Sequence, residues 1–234
     1  MLDKSSLVIP TRWTEQERAK RLAFKCSAHH HNGINHQTCY NNETGLKERK
    51  AVLDIECGGL DAGFDIMYCW CLKPIGEDNI LYDHLTAEDF TKGNLDRRIL
   101  ESFCETVWGF DRLIAHYGSN HRFDIPFMRT RAIRQGIEDF PKIGEMFWTD
   151  TYPMSKKLLR LRSYRQGSVA RALLGRDEKT VLDSDKWRAV KYGTVKNKME
   201  AMKGIVDHCQ HDVQQCEEIY TKMLPYYREL RSTI

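Results

Sequence analysis

The stretch AVLDIECGGLDAG, residues 51–63, constrains this chain more than any other. Ala51, Val52 and Leu53 open it as an apolar run of the kind that fills a buried strand. It then sets Asp54 and Glu56 two residues apart and follows them with Gly58 and Gly59. Side chains alternate across a strand, so both carboxylates point to one face. Like charges placed this way repel unless something offsets them. A divalent cation is the natural counter-charge, and carboxylates suit Mg²⁺ or Mn²⁺. The bland alternative is one acid in a salt bridge and the other in solvent. The glycines are expected to let a ligand approach the backbone closely.

The surrounding pattern places this strand in an α/β layout. Residues 64–73, FDIMYCWCLK, read as a second strand and residues 79–84 as a third, an antiparallel run of three. Residues 96–110 read as an amphipathic helix, 112–116 as a strand, 127–135 as a helix, and 146–150 as a last strand. Further helices fill the rest, the last running from about residue 204 to 224. The expected fold is a mixed five-stranded sheet, three antiparallel strands followed by parallel additions, flanked by helices. A composition shift near residue 46 divides the chain into a small Cys/His segment, 1–45, led by a helix, and a main domain, 46–234.

Composition excludes some classes. No apolar run in the 234 residues approaches the roughly 20 needed to span a bilayer, and the N-terminus lacks a secretory core. The eight cysteines therefore read as free or metal-bound thiols of a reducing compartment, the cytoplasm. The formal net charge is only +3, but residues 156–176, KKLLRLRSYRQGSVARALLGR, hold seven Lys or Arg and no acid. Such a run is ordinarily a solvated helix face. The missing acids and the enclosed Tyr164 fit a phosphate-rich partner better, with Arg160, Arg162 and Arg165 as contacts.

Two further acids belong with the first pair. Asp124, in NHRFDIP, starts a helix after a strand, with Pro126 in its first turn; an N-cap is the structural reading. His208 and Asp212 in DHCQHDV lie four apart, on one face of a helix. Asp150, in WTDTYP, is another acid nearby and reads as structural.

Together these stretches resemble the DEDD superfamily of 3′–5′ exonucleases (DnaQ-like, on a ribonuclease H-like fold), and most nearly its YprB-like branch of bacterial and phage proteins. Asp54, Glu56, Gly59 and Leu60 match the first motif, D-x-E-x-x-G-L. Asn120, Phe123 and Asp124 match the second, N-x-x-F-D, and Asp212 the last acid of the third. The resemblance covers about residues 50–223. Cys57 stands where many relatives carry Thr. His208 precedes Asp212 by four residues, the spacing of the tyrosine subclass, where the histidine subclass uses one more.

The resemblance implies phosphodiester hydrolysis at the 3′ end of DNA or RNA with two Mg²⁺ or Mn²⁺ ions held by Asp54, Glu56, Asp124 and Asp212. His208, or else His211 from the neighbouring helix face, would act as general base, with His208 favoured. Gly58, Gly59 and Leu60 would meet the terminal nucleotide, and Asn120 and Phe123 would lie beside it. A phage-encoded relative would work in the host cytoplasm. The rival readings are an endonuclease on the same fold and a catalytically silent nucleic-acid-binding module.

Upstream, KCSAHHHNGINHQTC sets Cys26 and His29 in C-x2-H and His36 and Cys39 in H-x2-C. Thiolate and imidazole pairs at this spacing suit a tetrahedral zinc in a small knuckle, with His30 and His31 as competing ligands. A flexible polar loop is the alternative.

Overall fold

The computed structural model describes residues 15–34, 37–93, 95–119, 122–143, 145–176 and 184–229. In chain order these form helices α1 (Glu15–Ala23) and α2 (Gln37–Thr44), then strands β1 (Lys50–Cys57), β2 (Met67–Pro74) and β3 (Leu81–His84). Helices α3 (Ala87–Lys92) and α4 (Arg97–Val107), strand β4 (Arg112–Ala115), helix α5 (Asp124–Gln135) and strand β5 (Phe147–Asp150) follow. Helices α6 (Thr151–Leu158), α7 (Gln166–Leu174), α8 (Ser184–Tyr192) and α9 (Val195–Met223) complete the chain.

The sheet order is β3-β2-β1-β4-β5. β1–β2 and β2–β3 pair antiparallel; β1–β4 and β4–β5 pair parallel. This is the expected mixed sheet, and it puts β1 in the middle. A central strand is covered on both faces, which is why its apolar half reads as an unbroken run. Ile55 pairs with Trp70, whose indole N–H donates to the Ile99 carbonyl of α4 at 2.7 Å. Asp54 pairs with Cys71 and Glu56 with Cys69, on the other face. There α9 packs across β1 and β2, and the Cys209 thiol donates to the Asp54 carbonyl at 3.4 Å.

Boundaries differ from the sequence expectation where hydrogen bonding overrides composition. Strand β2 starts at Met67 and not at Phe64, because the Asp61 carbonyl accepts from both Phe64 N and Asp65 N and closes a turn. The Phe64 ring is left 90% exposed. Helix α9 starts well before residue 204, at Val195, where Thr194 Oγ1 caps it by accepting from Asn197 N at 3.3 Å. Helix α5 takes in Asp124, and Phe123 occupies the cap position without a side-chain bond, so Asp124 is not the N-cap. Helix α3 was not anticipated, although Thr86 and Asp89 form a reciprocal capping box. The basic run is not one helix: α6 and α7 are separated by the extended residues 159–165.

One buried ion pair ties the layers together. Arg131 of α5 donates to Asp96 through Nε at 2.9 Å and Nη2 at 2.7 Å. Asp96 also accepts from Met67 N at 2.8 Å and Gln135 Nε2 at 2.6 Å. Arg131 Nη1 reaches the Ala62 carbonyl at 3.2 Å. The start of β2, the head of α4, helix α5 and the loop after β1 thus share one satisfied charge pair.

Candidate active site

The four acids come from three elements that meet at one end of β1. Asp54 and Glu56 project from β1, Asp124 opens α5, and Asp212 lies on α9. On α9 the buried stripe runs through Ile205, Cys209 and Val213. His208 and Asp212 sit one position round from that stripe, so packing the stripe on β1 delivers both to the strand's acidic face. His208 Nε2 lies 3.7 Å from Glu56 Oε1 and 3.7 Å from Asp212 Oδ2. The ligand atoms of Glu56, His208 and Asp212 all lie within 4.8 Å of one another. His211 Nδ1 is 3.6 Å from Asp212 Oδ1, but its side chain lines a separate depression with Lys73, Gln214 and Glu217.

The electrostatics register the crowding. Burial first, then the charges of Glu56, Asp124 and Asp212, hold the Asp54 carboxyl well above the usual carboxylate range. Burial, Cys69, Asp212 and Asp124 do the same to Glu56. Burial and the charge of Asp150 push Asp124 up to about 8. Asp54 Oδ2 is buried and has no hydrogen-bond partner among the described residues. An orphaned, buried carboxylate oxygen amid other acids is costly unless a cation completes it. The donor set, all hard oxygens with a single imidazole alongside, fits divalent Mg²⁺ or Mn²⁺.

The glycines after β1 stand close to the chain's own side chains. A Cβ on Gly59 would collide with the Asp65 carboxylate, and one on Gly58 would come within 2.8 Å of the Tyr68 hydroxyl. Their smallness therefore accommodates the chain's own Asp65 and Tyr68 on the side where a Cβ would stand. Leu60, by contrast, is 86% exposed. A Cβ on Gly118 would likewise collide with the Asp124 carboxylate, so the loop after β4 presses against that acid.

Asp150 is a structural acid that also shapes the site. It caps α6 by accepting from Tyr152 N at 2.9 Å, and it accepts from Tyr117 N at 2.9 Å and Ser119 Oγ at 2.8 Å. Phe123 packs against Phe127 with ring centroids 5.5 Å apart and is only half-buried. Asn120 and His36 lie outside the described residues.

The basic segment borders the acids. Gln166 Nε2 donates to the Asp212 carbonyl at 2.8 Å. The Tyr164 carbonyl accepts from His116 Nε2 at 2.9 Å. Arg165, between these anchors, and Arg160 and Arg162, just before them, are exposed. Sequence reasoning missed a second feature there. Arg122 stacks over Tyr117 at 4.9 Å and over Tyr152 at 5.1 Å, and those two rings meet edge-on at 4.9 Å. Tyr152 follows the capping Asp150, a proximity that the separation of β4 from α6 in sequence conceals. Tyr117 and Arg122 shortly before Asp124, and Tyr152 two residues after Asp150, were the available signal.

A five-stranded mixed sheet carrying clustered acids at one end of its central strand defines a ribonuclease H-like domain of the nuclease class. In agreement with that geometry, the family model described as the RNase_H superfamily matches residues 51–224. The chain belongs to the RNase H superfamily. No curated protein gives a match. No helix of the described residues is long and apolar enough to cross a membrane.

Proposed function

We propose that the chain is a divalent-metal-dependent 3′–5′ exonuclease of DNA or RNA. The observation that carries this reading is the convergence of Asp54, Glu56, Asp124 and Asp212 around the unpartnered Asp54 Oδ2. Asp54, Glu56, Asp124 and Asp212 would hold the ions, which when bound supply Lewis-acid stabilisation of the phosphate charge that develops during hydrolysis. The order of motifs supports the exonuclease assignment over other members of the superfamily.

The chain's own residues have separable tasks. His208, with Nε2 facing Glu56 and Asp212, accepts the proton of the attacking water; the two carboxylates stabilise the imidazolium that results. His211, on the far side of Asp212, is less well aimed. The exposed Leu60 side chain covers the terminal base. Arg160, Arg162 and Arg165 neutralise upstream phosphates. The Tyr117–Arg122–Tyr152 stack offers flat faces to bases that leave the site.

Linear and covalently closed circular DNA and RNA, 5′-labelled where linear and assayed with and without Mn²⁺, test the reading. The expected outcome is Mn²⁺-dependent shortening from the 3′ end and intact circles. Cut circles would convert the assignment to an endonuclease; binding with no cleavage would convert it to a silent recognition module.

A further inference from the structure

We propose that Cys26, His29 and Cys39 are ligands of a structural zinc ion that folds the appendage formed by α1 and α2, apart from the acidic site. The three ligand atoms lie within 4.8 Å of one another. Cys26 Sγ and Cys39 Sγ are each 3.8 Å from the same atom, His29 Nδ1. Zinc bonds of about 2.3 Å to sulfur and about 2.0 Å to nitrogen place S and N ligands about 3.6 Å apart around a tetrahedral ion. The observed separations match that edge. Hydrogen bonding accounts for them less directly, because Nδ1 of a neutral imidazole carries either one lone pair or one N–H and would have to share it between two sulfurs.

The backbone holds the ligands in this position. Cys26 N donates to the His31 carbonyl at 3.0 Å, and His30 N donates to the Cys26 carbonyl at 2.9 Å. His30 adopts φ +56°, the left-handed conformation that closes the turn and turns His29 back toward Cys26. Ser27 N donates to Glu43 at 3.0 Å, which ties this turn to α2, the helix that carries Cys39.

The packing gives the ion its purpose. Cys26 is fully buried and Cys39 is 8% exposed. Yet neither they nor the buried Tyr40 belong to the main core, whose described members begin at Ala51. What packs locally is Tyr40 edge-on to Phe24, with ring centroids 5.0 Å apart, and Arg21 over the Tyr40 ring at 4.4 Å. A unit of this size cannot offset its chain entropy with so little apolar burial. A zinc ion whose site exists only in the folded unit supplies the difference, because its binding free energy is then folding free energy. Binding deprotonates both thiols and releases two protons.

Full-length protein, purified from zinc-replete cells with any affinity tag removed, should carry about one zinc per chain by elemental analysis. Cys26→Ser and Cys39→Ser should each lose it, and both should become cleavable by protease between α1 and β1 while the remaining domain stays resistant. Asp54→Asn and Asp212→Asn should retain the zinc, which separates this site from the acidic one. Where a cysteine variant precipitates, cobalt exchanged into the wild type replaces that arm: a thiolate-to-cobalt charge-transfer band upholds the site and its absence removes it. Wild type with less than about half an equivalent, full zinc in Cys39→Ser, or loss of the zinc with the acid variants overturns the proposal.

Discussion

His208 Nε2 on α9 stands 3.7 Å from Glu56 Oε1 on β1, a contact between the last helix and the first strand. It exists because Cys209 and Val213 are buried in the core and rotate the neighbouring His208 over the strand's acidic face. A proton acceptor held between two carboxylates is worth about 10²–10⁴-fold in rate. His208→Ala should therefore lower turnover by at least about 100-fold with little change in substrate affinity, and His211→Ala by under about 10-fold. Single-turnover rates at saturating Mn²⁺ check the ranking; the reverse order moves the base to His211.

The crowded acids make a prediction without substrate. Asp54, Glu56 and Asp124 have folded-state pKa values raised above those of the unfolded chain. The native state then binds more protons than the unfolded state, so ∂ΔG/∂pH is negative in that window. The metal-free protein should lose stability as pH rises from about 4, the unfolded carboxylate range, toward the value of about 8 carried by Asp124. Mg²⁺ or Mn²⁺ should raise the melting temperature more at pH 8 than at pH 5. Asp54→Asn should melt higher than wild type in chelator, gain less from metal, and have no hydrolytic activity. Thermal melts across pH, with and without metal, decide this; equal metal gain by Asp54→Asn would contradict it.

The Asp96–Arg131 pair makes a stability prediction remote from catalysis. Asp96 is fully buried and Arg131 is 3% exposed, so removing one partner leaves the other charged and unpaired. Asp96→Ala should cost about 3–5 kcal/mol, whereas substituting an exposed pair such as Lys196–Glu200 should cost under about 1 kcal/mol. Urea unfolding measures both. A cost below about 1 kcal/mol at Asp96 would show that the pair is not what joins α4 to α5.

The basic segment and the aromatic stack should separate by salt. Arg160→Ala, Arg162→Ala and Arg165→Ala should each reduce the slope of log affinity against log salt by about 1. Tyr152→Leu should weaken single-stranded binding by about 1–3 kcal/mol with the slope unchanged. Filter-binding titrations at several salt concentrations read both quantities. A slope change in Tyr152→Leu would mean the stack acts through phosphate.

Much of the architecture was readable before any coordinates. The apolar runs of β1, β2 and β4 are long enough and β-preferring enough to identify central strands, and their order dictates a mixed sheet. The four acids were legible because each sits in a short, ordered motif. The glycines were ambiguous for a physical reason: a small residue reports that something comes close to the backbone, not what comes. At Gly59 the visitor is Asp65. Capping at Thr86 and Thr194 was also present in the residues, but isolated polar caps carry weak signals beside hydrophobic periodicity.

What the sequence alone determined, then, is the strands of the sheet, the longer helices and which of them carry acids, since hydrophobic period and short motifs are local. What only the tertiary structure decided is proximity: His208 against Glu56, Arg131 against Asp96, Arg122 between two tyrosines, and two cysteine sulfurs equidistant from one histidine nitrogen. Most of these contacts join residues from separate segments and depend on how those segments pack, whereas the Cys26–His29 contact lies within one turn and was already marked by its spacing. Packing angle and depth follow from the summed shape of many side chains, which no local pattern encodes.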